Sequence, residues 1–309
     1  MASSPTTTNF PNGITSFGEV VYGGITTHAG PTYFVSRNVT ASGDGTSWNK
    51  AFKTISEGIA KLNSDYTDAV TPSKGRNAFL YIGEGYYSEV PVSLTCNDAT
   101  IIATAPGTHD STVWYGSGTA GSFAGTTTAP LLTITGHNNT IINLGFVNIS
   151  GGLQPAVQIG TASAAAISNK FISCKITKDV ADSVTYGFED FGNAYTEWHD
   201  CEFTTSVKTA GIRIRSGVTN GIQQRINNCR FYGTPSGILV DAAAHQLLIE
   251  NCVFTDDTSD TADVIDTPIL NNGGVRIIVR DCYAVTSTAN MVTGAGTSWQ
   301  ANLFTFTSE

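Results

Sequence analysis

Charge is scarce in this 309-residue chain, since Asp, Glu, Lys and Arg together make up 13% of it. The balance is acidic, with 16 Lys and Arg against 25 Asp and Glu and a formal net charge of −9. Sequence-independent binding to nucleic acid depends on clustered Lys and Arg that displace counterions. The sequence contains no basic stripe of this kind. We therefore expect no nucleic-acid partner.

Long apolar runs are also missing. No stretch approaches the ~20 consecutive apolar residues of a membrane span. The first residues form neither a basic n-region nor an apolar h-region. We therefore expect no membrane partner and no export signal.

What the chain has instead is a short phrase that recurs across its second half. The phrase is an apolar residue, two mostly polar residues, a cysteine, any residue and usually an aromatic. Its five cysteines are separated by 27, 28, 23 and 30 residues. These spacings are too irregular for a helical array of fixed period. They are typical of stacked coils whose strands keep register while their loops vary.

An earlier copy of the phrase, at 141–146, has Leu144 where the cysteine would stand. Leucine can replace cysteine without loss only at a position that requires an apolar side chain. The position is therefore predicted to point inward, and its copies in successive coils to form a column of side chains in the core, here called the core ladder. Packing is favoured over disulfides, which need side chains aimed at one another, and over zinc, which needs close pairs such as CxxC. We expect no metal and no cofactor. The predicted core ladder is Leu144, Cys174, Cys201, Cys229, Cys252 and Cys282.

Plentiful Gly, Thr, Ser and Asn, with short runs of Val, Ile and Phe, indicate an all-β, loop-rich solenoid of roughly eight coils. Strands are predicted at 79–82, 99–104, 131–134, 140–148, 156–159, 167–177, 196–205, 211–215, 223–232, 237–240, 245–255, 266–270, 274–286 and near 302–306. Before them, Ala51, Phe52, Ile55, Ile59 and Leu62 fall on one face at helical spacing. This pattern predicts a short amphipathic helix that covers the first coil.

Several stretches resemble the right-handed parallel β-helix proteins of the pectin-lyase-like superfamily. They are Tyr33-Phe34-Val35-Ser36, Gly43-Asp44-Gly45-Thr46-Ser47-Trp48, Ala51-Phe52-Lys53-Thr54-Ile55 and the strand 79–83 followed by Gly85-Tyr86-Tyr87. The resemblance implies a right-handed parallel β-helix at 76–287. It is preceded by an extended N-terminal arm at 1–30 and by a first strand and capping helix at 31–75, and it is followed by a C-terminal cap at 288–309.

Enzymes of this superfamily cleave acidic polysaccharides, either with Ca²⁺ held by carboxylates plus a basic Arg or Lys, or with clustered Asp residues. Arg213 and Arg215 project from one face of a strand and could meet an acidic sugar, although simple alternation with core-facing Ile212 and Ile214 also explains them. The aromatic and acidic segment 186–200 resembles a sugar-binding groove, or a loop whose aromatics pack onto the rod. The candidate glycan-binding residues are Phe188, Glu189, Asp190, Tyr195, Arg213 and Arg215.

Two further acidic features allow two interpretations each. Asp241, with His245 four residues later, could serve a hydrolase, but a turn residue is favoured because no second carboxylate is placed beside it. The acidic segment 256–266 is spaced loosely enough for Ca²⁺ but lacks the Gly and the closing Glu of an EF-hand loop. A solvated loop between coils is favoured there.

The opening residues 7–16 resemble the beginnings of head-associated structural proteins of tailed bacteriophages. With the missing export signal, this predicts a virion structural protein made in the host cytoplasm. We expect a decoration protein on the outer capsid, with a head or tail fibre component as the nearest variant and a polysaccharide lyase or hydrolase as the alternative. The expected partners are the major capsid protein or another virion protein, further copies of the chain in a trimer, and a surface polysaccharide. The expected anchors of the arm are Phe10, Ile14, Phe17, Val20 and Tyr22.

Overall fold

The computed structural model describes 14–16, 19–21, 30–66, 77–104, 111–116, 128–148, 154–176, 184–204, 207–215, 223–233, 236–241, 246–255, 267–273, 276–285, 291–294 and 299–305. For 14–16, 19–21, 148, 184, 207–208, 267, 276, 293–294 and 299–305 the description covers the backbone alone. In the described part of the chain, no helix has the length and apolarity needed to cross a bilayer.

Almost all regular structure is β. The strands are β1 (Ile14–Ser16), β2 (Glu19–Val21), β3 (Thr32–Val35), β4 (Phe79–Ile82), β5 (Gly85–Glu89), β6 (Val92–Leu94), β7 (Thr100–Ala103), β8 (Thr112–Gly116), β9 (Leu132–Ile134), β10 (Thr140–Ile142), β11 (Gly145–Asn148), β12 (Val157–Ile159), β13 (Lys170–Ile172), β14 (Lys175–Ile176), β15 (Val184–Asp190), β16 (Glu197–His199), β17 (Glu202–Phe203), β18 (Val207–Ile214), β19 (Gln224–Asn227), β20 (Arg230–Tyr232), β21 (Ser236–Val240), β22 (Gln246–Glu250), β23 (Val253–Thr255), β24 (Thr267–Asn271), β25 (Arg276–Val285), β26 (Val292–Gly294) and β27 (Trp299–Thr305). Among the residues that the structure describes, one helix, α1, spans Ile55–Tyr66 and a 3₁₀ turn spans Trp48–Lys50.

From β3 onward these strands form three rows of parallel strands that run the length of a right-handed parallel β-helix. The first row comprises β3, β4, β7, β10, β13, β16, β19, β22 and the first halves of β25 and β27. The second row comprises β5, β8, β11, β14, β17, β20, β23 and the second halves of β25 and β27. The third row is an eight-stranded sheet of β6, β9, β12, β15, β18, β21, β24 and β26. The predicted fold class is confirmed.

The core forms because the parallel register places each inward side chain over its equivalent in the coil before. In the first row, Ile141, Phe171, Trp198, Ile226 and Ile249 are paired in this order and are all buried. In the second row the rings of Phe203, Phe231 and Phe254 stack with centroids 4.7 and 4.9 Å apart. Burying such aromatic side chains stabilises each coil against the next.

The recurrent cysteine phrase marks the bend between the first and second rows. The residue before the ladder position is left-handed in every copy, with φ between 52° and 59° in Asn143, Ser173, Asp200, Asn228, Asn251 and Asp281. Short polar side chains, Asn and Asp above all, tolerate this conformation best, which explains the polar residue before each cysteine. The bend also explains why the strands predicted as single runs at 140–148, 167–177, 196–205, 223–232 and 245–255 are each two strands.

The ladder side chains lie inside the coil. Leu144 and the five cysteines of the phrase are each at most 1% exposed, and all the cysteines are free thiols. Each thiol donates a hydrogen bond to a carbonyl oxygen of the preceding coil, from 3.5 Å in Cys174 to 3.8 Å in Cys282. Burial raises the pKa of the Cys174 and Cys201 thiols, so they stay protonated and available as donors.

A ladder of glycines in the third row faces the phenylalanine stack of the second row. A Cβ on Gly237 would lie 2.5 Å from the Phe254 ring, and one on Gly211 would lie 2.8 Å from the Phe231 ring. Both distances are shorter than a carbon contact allows. Glycine is therefore required where a large ring crosses the core to reach the opposite row.

The helix α1 packs its buried Ile55, Ile59 and Leu62 against the first strands. A capping box begins it: the Glu57 amide donates to Thr54 Oγ1 at 3.2 Å, and the Thr54 amide donates to Glu57 Oε2 at 3.0 Å. Buried Glu89 on β5 accepts a further bond from the Ile55 amide at 2.8 Å. Glu89 thus ties the start of the helix to the second row.

The structure differs from the sequence-based prediction at both ends and in the middle. Within the predicted arm at 1–30, β1 and β2 pair as antiparallel strands. The C-terminal segment adds β26 and β27 as last strands of the rows. In the body of the β-helix, strands β5, β6, β8 and β15 were not predicted. The region of β15 was interpreted as a sugar-binding groove or, as the favoured alternative, as a loop whose aromatics pack onto the rod.

The ladder yields a direct test of core packing. Cys252→Asp should unfold or aggregate the protein because a carboxylate would lie in the apolar core. Cys252→Ala should stay folded and lose roughly 1–2 kcal/mol of unfolding free energy through the small cavity it leaves. Asn251→Asp puts the same carboxylate on the exposed neighbour and should leave the Tm nearly unchanged. Thermal melts check this, and a fall in wild-type Tm on adding a reducing agent would contradict the free-thiol ladder.

Candidate ligand-binding site

The outer face of the third row carries a cluster of charged side chains from three consecutive coils. Glu189 on β15 is paired in register with Arg213 on β18, and Asp241 directly follows β21. Arg215 directly follows β18 on the same side as Arg213, because alternate residues of a strand share a face. The parallel stacking therefore brings together four charges that are far apart in the sequence.

Within this cluster the charges neutralise one another. Arg213 Nη1 lies 3.0 Å from Glu189 Oε1, and Arg213 Nη2 lies 2.7 Å from Asp241 Oδ2. Arg215 Nη1 reaches the same Glu189 oxygen at 3.2 Å. Burial lowers the pKa of Arg213, but the hydrogen bond to Asp241 and the nearby acidic groups raise it overall. Arg213 therefore remains charged, and the ion pairs hold both guanidinium groups in place.

Two aromatic rings support the arginines. The guanidinium carbon of Arg213 lies 4.7 Å from the centre of the Tyr186 ring, and that of Arg215 lies 4.5 Å from the Phe191 ring. Guanidinium groups are attracted to aromatic faces at such distances. The least buried of the four charged side chains is Arg215. The cluster can therefore present a fixed guanidinium edge to a ligand.

The predicted glycan-binding residues divide into three groups in the structure. Glu189, Arg213 and Arg215 are brought together in the cluster. Phe188 is fully buried and packs on Phe171 in the core, so its assignment to a ligand surface is wrong. Tyr195 is exposed on a turn next to the first row, away from the third-row strands.

Asp190 is also wrong as a surface residue, because its side chain is fully buried. It accepts hydrogen bonds from the backbone and side-chain amides of Asn193, both at 2.8 Å, and from Gln224 Nε2 at 2.9 Å. Burial raises the pKa of Asp190 to about 6 in spite of these bonds. The carboxylate joins the third row to the turn that leads into the first row.

Asp241, for which a turn role was favoured, is an ion-pair partner of Arg213 and accepts a bond from Asn272 Nδ2 at 3.2 Å. The supporting role of Tyr186 and Phe191 was not predicted from the sequence. Recognition of β15 as a strand parallel to β18 would have revealed both. His245 and the acidic residues of 256–266 lie outside the described residues. Across the described ranges, no three His, Cys, Asp or Glu side chains converge as a metal site would require.

Comparison with known proteins gives information on the fold. Neither a protein-family model nor a curated protein sequence matches the chain. Among solved structures, pectin methylesterase PemA from Erwinia chrysanthemi is similar with a TM-score of 0.53 and 13% identity, over 85% of this chain and 80% of that one. A pectin methylesterase point mutant in complex with a hexasaccharide is similar with a TM-score of 0.52, also at 13% identity and over the same shares of the two chains.

A phage protein, Geobacillus virus E2 ORF18, is similar with a TM-score of 0.57 and 12% identity, over 89% of this chain. The matched region spans 59% of that protein's length. At these identities the likenesses show a shared parallel β-helix fold, which is found in polysaccharide-processing enzymes and in a phage protein alike.

Asp190 predicts a measurable pH dependence. Its pKa is raised in the folded state above the ordinary 3.8, so acidification protonates the folded protein before the unfolded chain. Lowering the pH from about 7 to about 5 should therefore add on the order of 1 kcal/mol to the unfolding free energy through this group. Urea unfolding of wild type and Asp190→Asn at both pH values checks this.

The gain on acidification should be absent from Asp190→Asn and retained in Glu189→Gln, which changes the neighbouring carboxylate in the surface cluster. Equal responses to pH in wild type and Asp190→Asn would contradict the assigned pKa.

Proposed function

We propose that the chain is a structural protein of a tailed-bacteriophage virion, acting as a decoration protein on the outer head surface. The observation that supports this most strongly is the state of the acidic groups on the strands. A glycoside hydrolase needs one protonated carboxyl and one available carboxylate placed a few ångströms apart across a bond of the substrate. On the described strands, four carboxylates instead form ion pairs with basic side chains, those of Glu189, Glu197, Glu202 and Glu250.

These ion pairs recur along the rod. Glu189 is held by two arginines, and Glu250 lies 2.8 Å from Arg225 Nη2 and also contacts Arg280. Glu197 and Glu202 pair with lysines of the preceding coil at 3.2 and 3.1 Å. Ion pairs between successive coils fix the surface and leave little chemical reactivity in it. Such a surface suits a protein whose task is to persist on a particle.

Two similarities to phage proteins favour a role in the virion. Residues 7–16 resemble the beginnings of head-associated phage proteins, and a solved phage protein shares the fold. The arm is polar with spaced apolar residues, which suits a segment that orders along a neighbouring subunit. Arrangement as a trimer would multiply a weak contact made by each arm.

Attachment through the arm is tested by restoring the protein to virions that lack it. Full-length protein should bind at a fixed copy number relative to the shell protein, measured by quantitative mass spectrometry of purified particles. Deletion of residues 2–30 should abolish binding while leaving the circular dichroism spectrum and Tm nearly unchanged, because the β-helix has its own core. Deletion of residues 2–9 alone keeps the predicted anchors and should leave binding intact.

Full occupancy by the 2–30 deletion would disprove attachment by the arm. Absence of the protein from purified virions would disprove the structural role itself. Immunogold labelling on the tail instead of the head would support the fibre variant.

The alternative is a polysaccharide-processing enzyme. The specific observation in its favour is the likeness to pectin methylesterases together with an arginine and carboxylate cluster on one outer row. On our proposal, purified protein should neither demethylate pectin nor cleave pectate or alginate, with or without Ca²⁺. Methanol release and the absorbance of unsaturated products measure these activities. Turnover that falls at least about tenfold in Glu189→Gln or Arg213→Lys, while the Tm stays similar, would establish the enzymatic alternative.

A further inference from the structure

A groove lies on the outer face of the first row, on a different side of the rod from the arginine cluster. It crosses four consecutive strands, β16, β19, β22 and β25, and has a volume of ≈ 400 Å³. This lies within the range of about 300–1,000 Å³ that is usual for small-molecule sites. The residues that matter for its chemistry are Tyr195, Glu197, Gln223, Arg225, Leu248 and Ile278.

The turn that leads into the first row has a left-handed residue two positions before the paired strand residue. In the earlier coils this residue is Asn77, Asp98, Asn138 and Ser168, with φ between 52° and 60°. Such short polar residues adopt this conformation at little cost. In the first half of the rod, a short polar residue therefore occupies the left-handed position of each described turn into the first row.

In two coils that border the groove, this left-handed position is not occupied by a short polar residue. Tyr195 and Gln223 occupy the same left-handed position, both with φ of 59°, and precede by two residues the paired Glu197 and Arg225. Larger side chains are strained in this conformation, and such strain is typically retained where a side chain serves a function. The tyrosine and the glutamine are thus placed beside the groove at a cost to stability that asparagine would avoid.

The lining has an apolar part made of large side chains. Tyr195, on the turn before β16, is 45% exposed, and Ile278 on β25 is 40% exposed, so both are accessible to a ligand. Leu248 is paired in register with Ile278 and lies next to it on the same face. Together they offer an aromatic ring and an aliphatic surface to one face of a ligand.

The polar part of the lining carries no net charge. Glu197 Oε2 lies 2.7 Å from His199 Nε2 and 3.2 Å from Lys170 Nζ, and Arg225 is paired with Glu250. Burial raises the pKa of Glu197, but the bonds from His199 and Lys170 outweigh this and lower it overall, so the carboxylate is ionised and able to accept further bonds. The exposed amides of Gln223 and Gln246 add neutral donors and acceptors.

We propose that this groove is a binding site for a neutral hexopyranose unit of an oligosaccharide. A pyranose ring has an apolar C–H face that fits an aromatic and aliphatic surface, and a rim of hydroxyls that fits amides and ion-paired side chains. An anionic sugar would find Arg225, the cation among the lining residues, already paired with Glu250. The site is distinct from the arginine cluster, and it does not depend on the virion role or on residues 1–30.

Titration calorimetry with maltohexaose, cellohexaose and mannohexaose tests the proposal, with hexagalacturonate as the anionic comparison. At least one neutral probe should bind, and hexagalacturonate should bind at least about tenfold more weakly than that probe. Tyr195→Asn is the decisive variant, since it removes the ring and suits the left-handed backbone. It should weaken binding about tenfold or more while the Tm stays equal or rises.

Tyr86→Ala is the matched control, because Tyr86 is also an exposed tyrosine, 54% exposed, but lies on β5 in the second row. It should bind the probe as wild type does, and so should the 2–30 deletion, whatever that deletion does to virion attachment. Failure of all three neutral probes to bind would overturn the proposal. So would unchanged affinity in Tyr195→Asn, or a clear fall of its Tm, which would give the ring a packing role.

Discussion

Parallel hydrogen bonding between successive coils is the constraint from which the other features of this molecule follow. It places each residue over the residue at the same position one coil earlier, so that like side chains meet along the rod. Inside, this makes ladders of cysteine and stacks of phenylalanine. Outside, identical charges would lie one strand spacing apart, and the rows avoid this by alternating sign, as with Lys170, Glu197 and Arg225. The ion-paired surface and the aromatic core therefore have one geometric origin.

The sequence predicted those parts of the fold that repeat. The cysteine phrase was recognisable because a polar left-handed residue, a buried thiol and a buried aromatic recur together, each for its own physical reason. Strand β15 was missed because a glycine and two acidic residues hide its inward positions. Gly187 is a glycine because side chains and backbone of neighbouring rows lie too close to it for a Cβ atom. Asp190 can be buried because it accepts hydrogen bonds from Asn193 in the next turn and from Gln224, which is distant in sequence. Neither reason is visible within a short window of residues.

The two candidate sites differed in how far the sequence could reveal them. Arg213 and Arg215 stood out as an alternating pair, but their acidic and aromatic partners come from the coils before and after. The groove on the first row is lined by side chains from several coils, so no local sequence motif predicts it. Only the row of turn residues, once aligned by the structure, showed that Tyr195 and Gln223 depart from the pattern. Surface sites on a solenoid are therefore recognised by comparing equivalent positions in successive coils.

The match between the glycine ladder and the phenylalanine stack bears on how such a chain can change in evolution. The glycine in one row and the ring in another are 17 residues apart for Gly237 and Phe254 and 20 apart for Gly211 and Phe231, yet neither can be altered alone without a clash or a void. Gain or loss of length is therefore expected in units of whole coils that carry both residues, as in duplication of an internal repeat. Residues in the loops between the rows are not coupled in this way, so sequence differences between descendants of this protein should concentrate in those loops.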